Sequence, residues 1–166
     1  MQPDNQNLYQ ALTTFLLNEQ QKFYRLAYSY CHNPETSMDL VQSAACKALE
    51  KYTTIQNPDY MKTWFYRILI NECLDYLRRS KRETVEETLP EEQSHDPLSQ
   101  QADHLDLYQA IMQLPPELKT IVLLRYFEDM TLKEIAHVTN INENTVKSRL
   151  YASLKKLRLS LKEELV

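Results

Sequence analysis

Apolar positions in this chain recur mostly at spacings of three and four, the period of one helix face, and Asn-Pro, Asp-Pro or Pro-Pro steps separate the runs. The first run, Leu8 to Cys31, carries Leu12, Phe15, Leu16, Phe23, Leu26, Ala27 and Tyr30 and predicts one long helix. Asn33-Pro34-Glu35 follows as N-cap, proline at the first helical position and an acid in the first turn. A second helix is therefore expected from Glu35 to about Lys51, burying Leu40, Val41, Ala44, Ala45, Ala48 and Leu49. Asp39, Gln42, Ser43 and Cys46 lie along its other side. Asn57-Pro58-Asp59 opens a third helix, Asp59 to about Arg82, that is apolar over most of its circumference. Trp64 is assigned to its core, since a lone Trp on a broad apolar helix is usually packing. Two further starts, Asp96-Pro97 and Leu114-Pro115-Pro116-Glu117, predict helices running toward Met112 and Asp129.

The stretch from Met130 to Arg158 reads as a helix-turn-helix. Thr131 and Glu134 have the spacing of a capping box, and Leu132, Ile135, Ala136 and Val138 give the first helix its apolar face. Asn140 stands where a tight turn needs a left-handed residue, which Asn tolerates best after Gly. Asn142 should cap the second helix, with Val146, Leu150, Leu154, Leu157 and Leu161 buried. The opposite face carries Lys147, Ser148, Tyr151, Ala152, Lys155, Arg158 and Lys162, without an acid. Any amphipathic helix has a polar face. Behind a capped helix and an Asn turn, this one suits a DNA major groove, where cations meet phosphates and guanines and Ser and Tyr reach base edges.

Composition narrows the class. With 43% hydrophobic and 25% charged residues the chain of 166 residues is expected to fold as one or two small domains. Glycine is absent. Sheet-rich folds use it in hairpins and phosphate-cradling loops require it, so all-α is the expected class. No apolar run approaches about 18 residues and the N-terminus lacks a signal-peptide pattern, so a cytoplasmic protein is expected. Cys31, Cys46 and Cys73 form neither a disulfide framework nor a metal-ligand spacing, and each is expected as a buried or half-buried thiol within a helix. The scattered His32, His95, His104 and His137 give no metal pattern either, so neither metal nor cofactor is expected.

Charge is unevenly placed. From Lys62 to Arg82 stand Lys62, Arg67, Arg78, Arg79, Lys81 and Arg82 against only Glu72 and Asp75. The helix dipole accounts for some of this. Four cations within five residues, beside Trp64, Tyr66 and Tyr76, point further, to a nucleic-acid face with aromatic platforms. Glu83, Glu86, Glu87, Glu91, Glu92, Asp96, Asp103 and Asp106 then follow with no cation among them. The aperiodic stretch 83–96 reads as an acidic flexible linker, dividing the chain into domains 1–82 and 97–166.

These residues resemble a known family. F-Y-R-L-A-Y-S-Y, D-L-V-Q and K-T-W-F-Y-R-I-L-I-N-E-C-L-D-Y-L-R-R in the first domain are similar to segments of bacterial RNA polymerase sigma factors of the extracytoplasmic-function group. L-P-P-E-L-K-T-I-V-L-L-R-Y-F-E-D-M-T-L-K-E-I-A and N-T-V-K-S-R-L-Y-A continue the likeness in the second. N-T-V-K-S-R-L alone also resembles response-regulator output helices; the order of all the motifs makes the likeness specific. The resemblance implies a region 2-like domain that binds core polymerase and the minus-10 element, and a region 4-like domain that binds the minus-35 element. An anti-sigma protein, frequently membrane-anchored in this family, is a further implied partner.

Residue by residue, the resemblance places Asp39, Gln42 and Ser43 against the polymerase clamp helices. Ser43 stands where the family usually has an acid. The loop Tyr52 to Tyr60 resembles the segment that captures a flipped minus-10 base, with Thr53, Thr54, Gln56 and Asn57 as hydrogen-bonding groups and Tyr52 or Tyr60 as a stacking face. Arg67, Asn71, Arg78, Arg79, Lys81 and Arg82 would follow the minus-10 strands. Lys147, Ser148 and Tyr151 fall at family positions that meet base edges and phosphates of the minus-35 element, Lys155 joins them from the same exposed face, and Arg149 is a phosphate or structural candidate. Ala152 stands where relatives often have a basic residue, so a base contact there is lost or replaced by an apolar one to a thymine methyl. The rival reading is a helix-turn-helix regulator that binds duplex without polymerase; it would not need the first domain. An enzyme is disfavoured, since no nucleophile constellation or ligand spacing is present.

Overall fold

The computed structural model describes residues 4–83 and 105–164, and side chains over 4–83 and 106–159. Every regular element among them is helical, as expected of the all-α class. The chain divides into two compact units, Met1–Ser94 and His95–Val166. Most of the acidic stretch 83–96, and the helix start at Asp96-Pro97, lie outside the described residues.

Four helices build the first unit: α1 Asn5–Asn18, α2 Gln20–Cys31, α3 Pro34–Lys51 and α4 Met61–Glu83. The single helix expected over Leu8 to Cys31 is broken at Glu19, whose backbone leaves the helical region (φ −106°, ψ 12°) and restarts the chain as α2. The break falls in the polar run Asn18-Glu19-Gln20-Gln21, where no apolar side chain holds a straight course. It lets α1 lie against α3 and the turn that follows it while α2 packs on both α3 and α4. Asn33 caps α3 as expected, its Oδ1 accepting from Thr36 N–H at 3.0 Å. The residue that turns the chain there is His32 (φ 54°). The start of the third predicted helix differs as well: Pro58–Tyr60 forms a 3-10 turn capped by Asn57, and α4 begins at Met61.

The core of this unit is aromatic. Phe23 lies 4.6 Å from Phe65, 5.4 Å from Phe15 and 5.5 Å from Tyr66, between ring centroids. Such tilted and edge-on pairs each add roughly 0.5–1.5 kcal/mol beyond the area they bury. Leu12, Ala27, Ala44, Ala48 and Leu69 close the space around them, each fully buried. Val41, Ala45 and Leu49, expected inside, are half-buried at the edge of the α3 stripe.

The second unit contains α5 Leu105–Met112, α6 Pro116–Val122, α7 Leu132–Thr139 and α8 Glu143–Glu164. Helices α5, α6 and α7 all pack on α8. Pro116 occupies the first turn of α6 as expected. The helix does not run regularly to Asp129: Leu123–Phe127 widens into a π-helical turn, in which Glu128 N–H donates to Leu123 O at 3.2 Å and Met130 N–H to Leu124 O at 3.1 Å. The widened turn ends on Asp129 (φ 58°), and Arg125 Nη1 donates to Met130 O at 3.1 Å across it. Ile121, Val122, Leu124, Met130, Ile135, Val138 and Val146 fill the core. Burial beside them holds the Lys119 ammonium below the usual lysine range.

Candidate nucleic-acid and partner interfaces

The helix-turn-helix forms as its sequence requires. Glu134 N–H donates to Thr131 Oγ1 at 3.1 Å and Thr131 N–H to Glu134 Oε2 at 3.0 Å, the reciprocal capping box at the start of α7. Asn140 adopts the left-handed conformation (φ 56°, ψ 40°), and the Ile141 N–H returns to Ala136 O at 3.2 Å, ending the helix. Asn142 Oδ1 then accepts from Asn144 N–H at 2.8 Å and opens α8.

Helix α8 turns Val146 and Leu157 inward. Leu150 and Leu154 are only half-buried, because Ser153 takes the central inward position, its hydroxyl donating to Arg149 O at 2.7 Å. A Ser between leucines gives no apolar signal, which is why the pattern missed it. Leu161 and Lys162 lie outside the described side chains. Lys147, Ser148, Tyr151, Ala152, Lys155 and Arg158 are all exposed, Tyr151 at 63%. Arg149 is half-buried and sits at the edge of this face. The Ser148 hydroxyl donates to Asn144 O at 3.0 Å.

On α4 the charged residues form a stripe. Arg67, Asn71, Arg78 and Arg82 follow one another at four- and seven-residue intervals, so they share one face. Asn71, Arg78, Arg79, Lys81 and Arg82 are exposed and Arg67 is half-buried. Arg78 pairs with Asp75 at 3.5 Å, and Arg79 Nε donates to Asp75 O at 3.4 Å. An exposed pair of this kind contributes under about 1 kcal/mol, so a phosphate can displace it.

Two assignments on this helix are overturned. Trp64 is half-buried on the same stripe as Arg67 and Asn71, not in the core, because the inward positions are taken by Phe65, Leu69, Ile70 and Cys73. Tyr66 is no platform: it is 1% exposed and packs on Phe23 and Phe65. Tyr76, half-buried, keeps part of its ring at the surface.

The loop between α3 and α4 is pinned at its centre by buried Ile55 and leaves Thr53, Thr54, Gln56 and Asn57 exposed. Asn57 Oδ1 is already engaged by Asp59 N–H at 3.0 Å, and Thr54 Oγ1 donates to Lys51 O at 2.7 Å. Tyr60 is 58% exposed and presents an open ring. Tyr52 is half-buried because Tyr9 of α1 meets it edge-on, 5.3 Å between centroids at 71°. Tyr9 was not singled out from sequence; it stands off the Leu8, Leu12, Leu16 stripe and gives no local signal.

On α3, Asp39 and Gln42 are exposed on the face opposite Leu40, Ala44 and Ala48. Beside Gln42 opens an apolar cleft of about 210 Å³ lined by Leu16, Leu17, Val41, Ala45 and Leu49. Ser43 is half-buried and turned toward α4, its hydroxyl donating to Glu72 Oε2 at 3.2 Å. Lys47 forms an ion pair with the other oxygen of the same carboxylate. An acid within the apolar run of α4 could have been flagged as needing a partner; Lys47, on another helix, could not.

Cys46 is exposed on the polar face of α3, contrary to the expectation of a covered thiol, while Cys31 is half-buried and Cys73 buried. Burial, with Cys31 and Glu72 nearby, pushes the Cys73 thiol far above its ordinary range. Among the described residues no cluster could hold a metal ion, and no helix is long and apolar enough to cross a membrane.

Comparison with known proteins places both units. The sigma-70 region 2 family matches residues 16–83 and the sigma-70 region 4 family residues 104–157. RNA polymerase sigma factor SigV of Bacillus subtilis is 42% identical over 159 residues, covering 92% of each chain. The chain belongs to the extracytoplasmic-function sigma factors. The RNA polymerase sigma-E factor of Streptomyces coelicolor is 31% identical, over 92% of this sigma factor and 84% of its own length. The fold is shared with a chain in the co-crystal structure of the sigma factor RpoE with the anti-sigma factor NepR from Bartonella quintana. That likeness has a TM-score of 0.72 at 22% identity and covers 90% of this sigma factor and 96% of that chain.

Proposed function

We propose that this sigma factor binds core RNA polymerase through α3, captures the minus-10 element with the α3–α4 loop and α4, and reads the minus-35 element with α8. The observation that carries this assignment is the exposed face of α8 from Lys147 to Arg158, which carries Lys147, Lys155 and Arg158 and no acid, behind a capped helix and an Asn turn. Asp39, exposed, and Gln42, exposed at the edge of an apolar cleft, supply the polymerase contact. Ser43 supports that surface from below through Glu72 rather than reaching outward. In the loop, Tyr60 is the stacking face, Thr53 and Gln56 offer hydrogen bonds, and Tyr52, Thr54 and Asn57 shape the backbone. Arg67, Asn71, Arg78, Arg79, Lys81 and Arg82 follow the strand phosphates, with Trp64 beside them on the same stripe.

In the second unit Lys147, Tyr151 and Lys155 meet phosphates and base edges, Arg149 a flanking phosphate, and Ala152 a thymine methyl. Domain 1–82 thus serves the polymerase and minus-10 DNA, 97–166 the minus-35 DNA, and 83–96 joins them. The chain supplies positioning and leaves RNA synthesis to polymerase, so it acts in the cytoplasm and has no chemistry of its own. An anti-sigma protein holds it inactive; chains of the same fold occur in complexes with NepR and with the cytosolic domain of CnrY. The test is run-off transcription with purified core polymerase. Specific transcripts should appear only when the chain is added, and core polymerase that neither binds it nor gains promoter selectivity refutes the reading.

A further inference from the structure

Resting on the reading of α8 as the groove-facing helix, we propose that Ser148 recognises an exocyclic amine, adenine N6 or cytosine N4, and discriminates against guanine and thymine at that position. The argument is one of hydrogen-bond polarity. The Ser148 hydroxyl lies 3.0 Å from Asn144 O. A carbonyl oxygen can only accept, so the single hydroxyl proton is directed along the helix toward it. What remains on the exposed side of Oγ is lone pairs. A serine free to rotate reads donors and acceptors alike; this one is an acceptor.

In the major groove the outward-facing donors are the N6 amine of adenine and the N4 amine of cytosine, whereas guanine presents O6 and N7 and thymine O4, all acceptors. Rotating the hydroxyl outward to donate would forfeit the bond to Asn144 O. The neighbouring groups on the same face have complementary characters: Lys147 can only donate, and Ala152, one turn further on, is apolar. The exposed edge of α8 therefore carries a donor, an acceptor and a methyl in fixed order. Ser153 shows the contrast. Its hydroxyl makes the same kind of bond, to Arg149 O, but it is fully buried and takes no part in readout.

The test uses the full-length chain with core polymerase and duplexes that this holoenzyme enriches from a randomised pool. Each adenine of the enriched minus-35 segment is replaced singly by purine, which lacks the N6 amine, and each cytosine by pyrimidin-2-one, which lacks the N4 amine. One position should lose about fivefold in wild-type affinity, the size of a single base-edge contact. Guanine or thymine there should cost more, by setting an acceptor against an acceptor. Ser148→Ala should bind the parent duplex with the same loss and be indifferent to the analogue. Ser148→Thr, whose hydroxyl can make the same bond to a carbonyl one turn back, should keep the discrimination. Enriched duplexes on which every amine is dispensable, or on which wild type and Ser148→Ala lose equally, overturn the inference alone. A holoenzyme that enriches no minus-35 segment overturns the groove reading of α8 with it.

Discussion

Lys47→Met should destabilise the first unit by about 2 kcal/mol. Glu72 is 7% exposed and its carboxylate has two partners, the Ser43 hydroxyl and the Lys47 ammonium. Breaking a buried ion pair from one side costs about 3–5 kcal/mol, because the remaining charge is left unpaired; an exposed pair is worth about 0.2–1 kcal/mol. The Lys47 side chain is 50% exposed against 9% for Glu72, so the pair falls between these limits, nearer the lower. For a domain of 60–100 residues about 1 kcal/mol moves the midpoint by roughly 4–8 °C, so a drop near 10 °C is expected. Trp64, the one tryptophan of the chain, lies on α4 and so reports on the first unit. The assay is thermal unfolding followed by its fluorescence, in wild type, Lys47→Met, Glu72→Gln and the double variant. Glu72→Gln should restore much of the loss in the Lys47→Met background, since a neutral amide needs no counter-charge and its oxygen still accepts from Ser43. A double variant whose loss equals the sum of the single losses would refute the coupling.

Lys147→Ala and Tyr151→Ala should each weaken promoter use through the minus-35 element by about 1–3 kcal/mol, measured as holoenzyme binding to duplexes with intact or scrambled minus-35 sequence; equal sensitivity to scrambling in wild type and variants excludes the contact. Asp39→Ala with Gln42→Ala should lower affinity for core polymerase while moving stability by under about 0.5 kcal/mol, as both residues are exposed; unchanged affinity in a titration moves the docking surface elsewhere. With a thiol reagent at neutral pH, Cys46 should react first and Cys73 only on unfolding, because the one is exposed and burial keeps the other protonated; early labelling at Cys73 contradicts this. Asn140→Ala should cost the second unit roughly 1–2 kcal/mol through its left-handed backbone, whereas Asn140→Gly should be neutral or stabilising, as read from urea unfolding by circular dichroism.

What was legible in the sequence was what is local. Thr131 with Glu134, Asn140, and Asn142 with Asn144 make their bonds within four residues of chain, so spacing and residue type define the helix-turn-helix without knowledge of the rest. The caps at Asn33 and Asn57 were readable for the same reason. The misreadings fall where the deciding neighbour lies on another helix. Trp64 and Tyr66 are two residues apart on an apolar run, and nothing in that run says which faces Phe23; the outcome is set by how α2 crosses α4. The break at Glu19 has no proline or glycine to announce it, and its reason lies in α1 and α2 packing on different partners.

The missing glycines belong to the same argument. A chain without glycine must still reverse direction after helices, and here His32, Asp129 and Asn140 hold φ between 54° and 58°. Asn, Asp and His are the non-glycine types most often found there. Only Asn140 was anticipated, because only it sits between two segments whose caps already fix both helix ends. His32 was masked by the adjacent Asn33, which has the residue type expected of a turn but performs the cap instead. Asp129 follows the π-helical turn, whose extra residue comes from i→i+5 bonding that apolar periodicity does not register. Directly after it Met130 enters the core, and Thr131, next in the chain, begins the capping box of α7, which ends on Asn140 before α8. The placement of the face proposed to read DNA therefore follows a local irregularity just upstream of the motif by which that face is recognised.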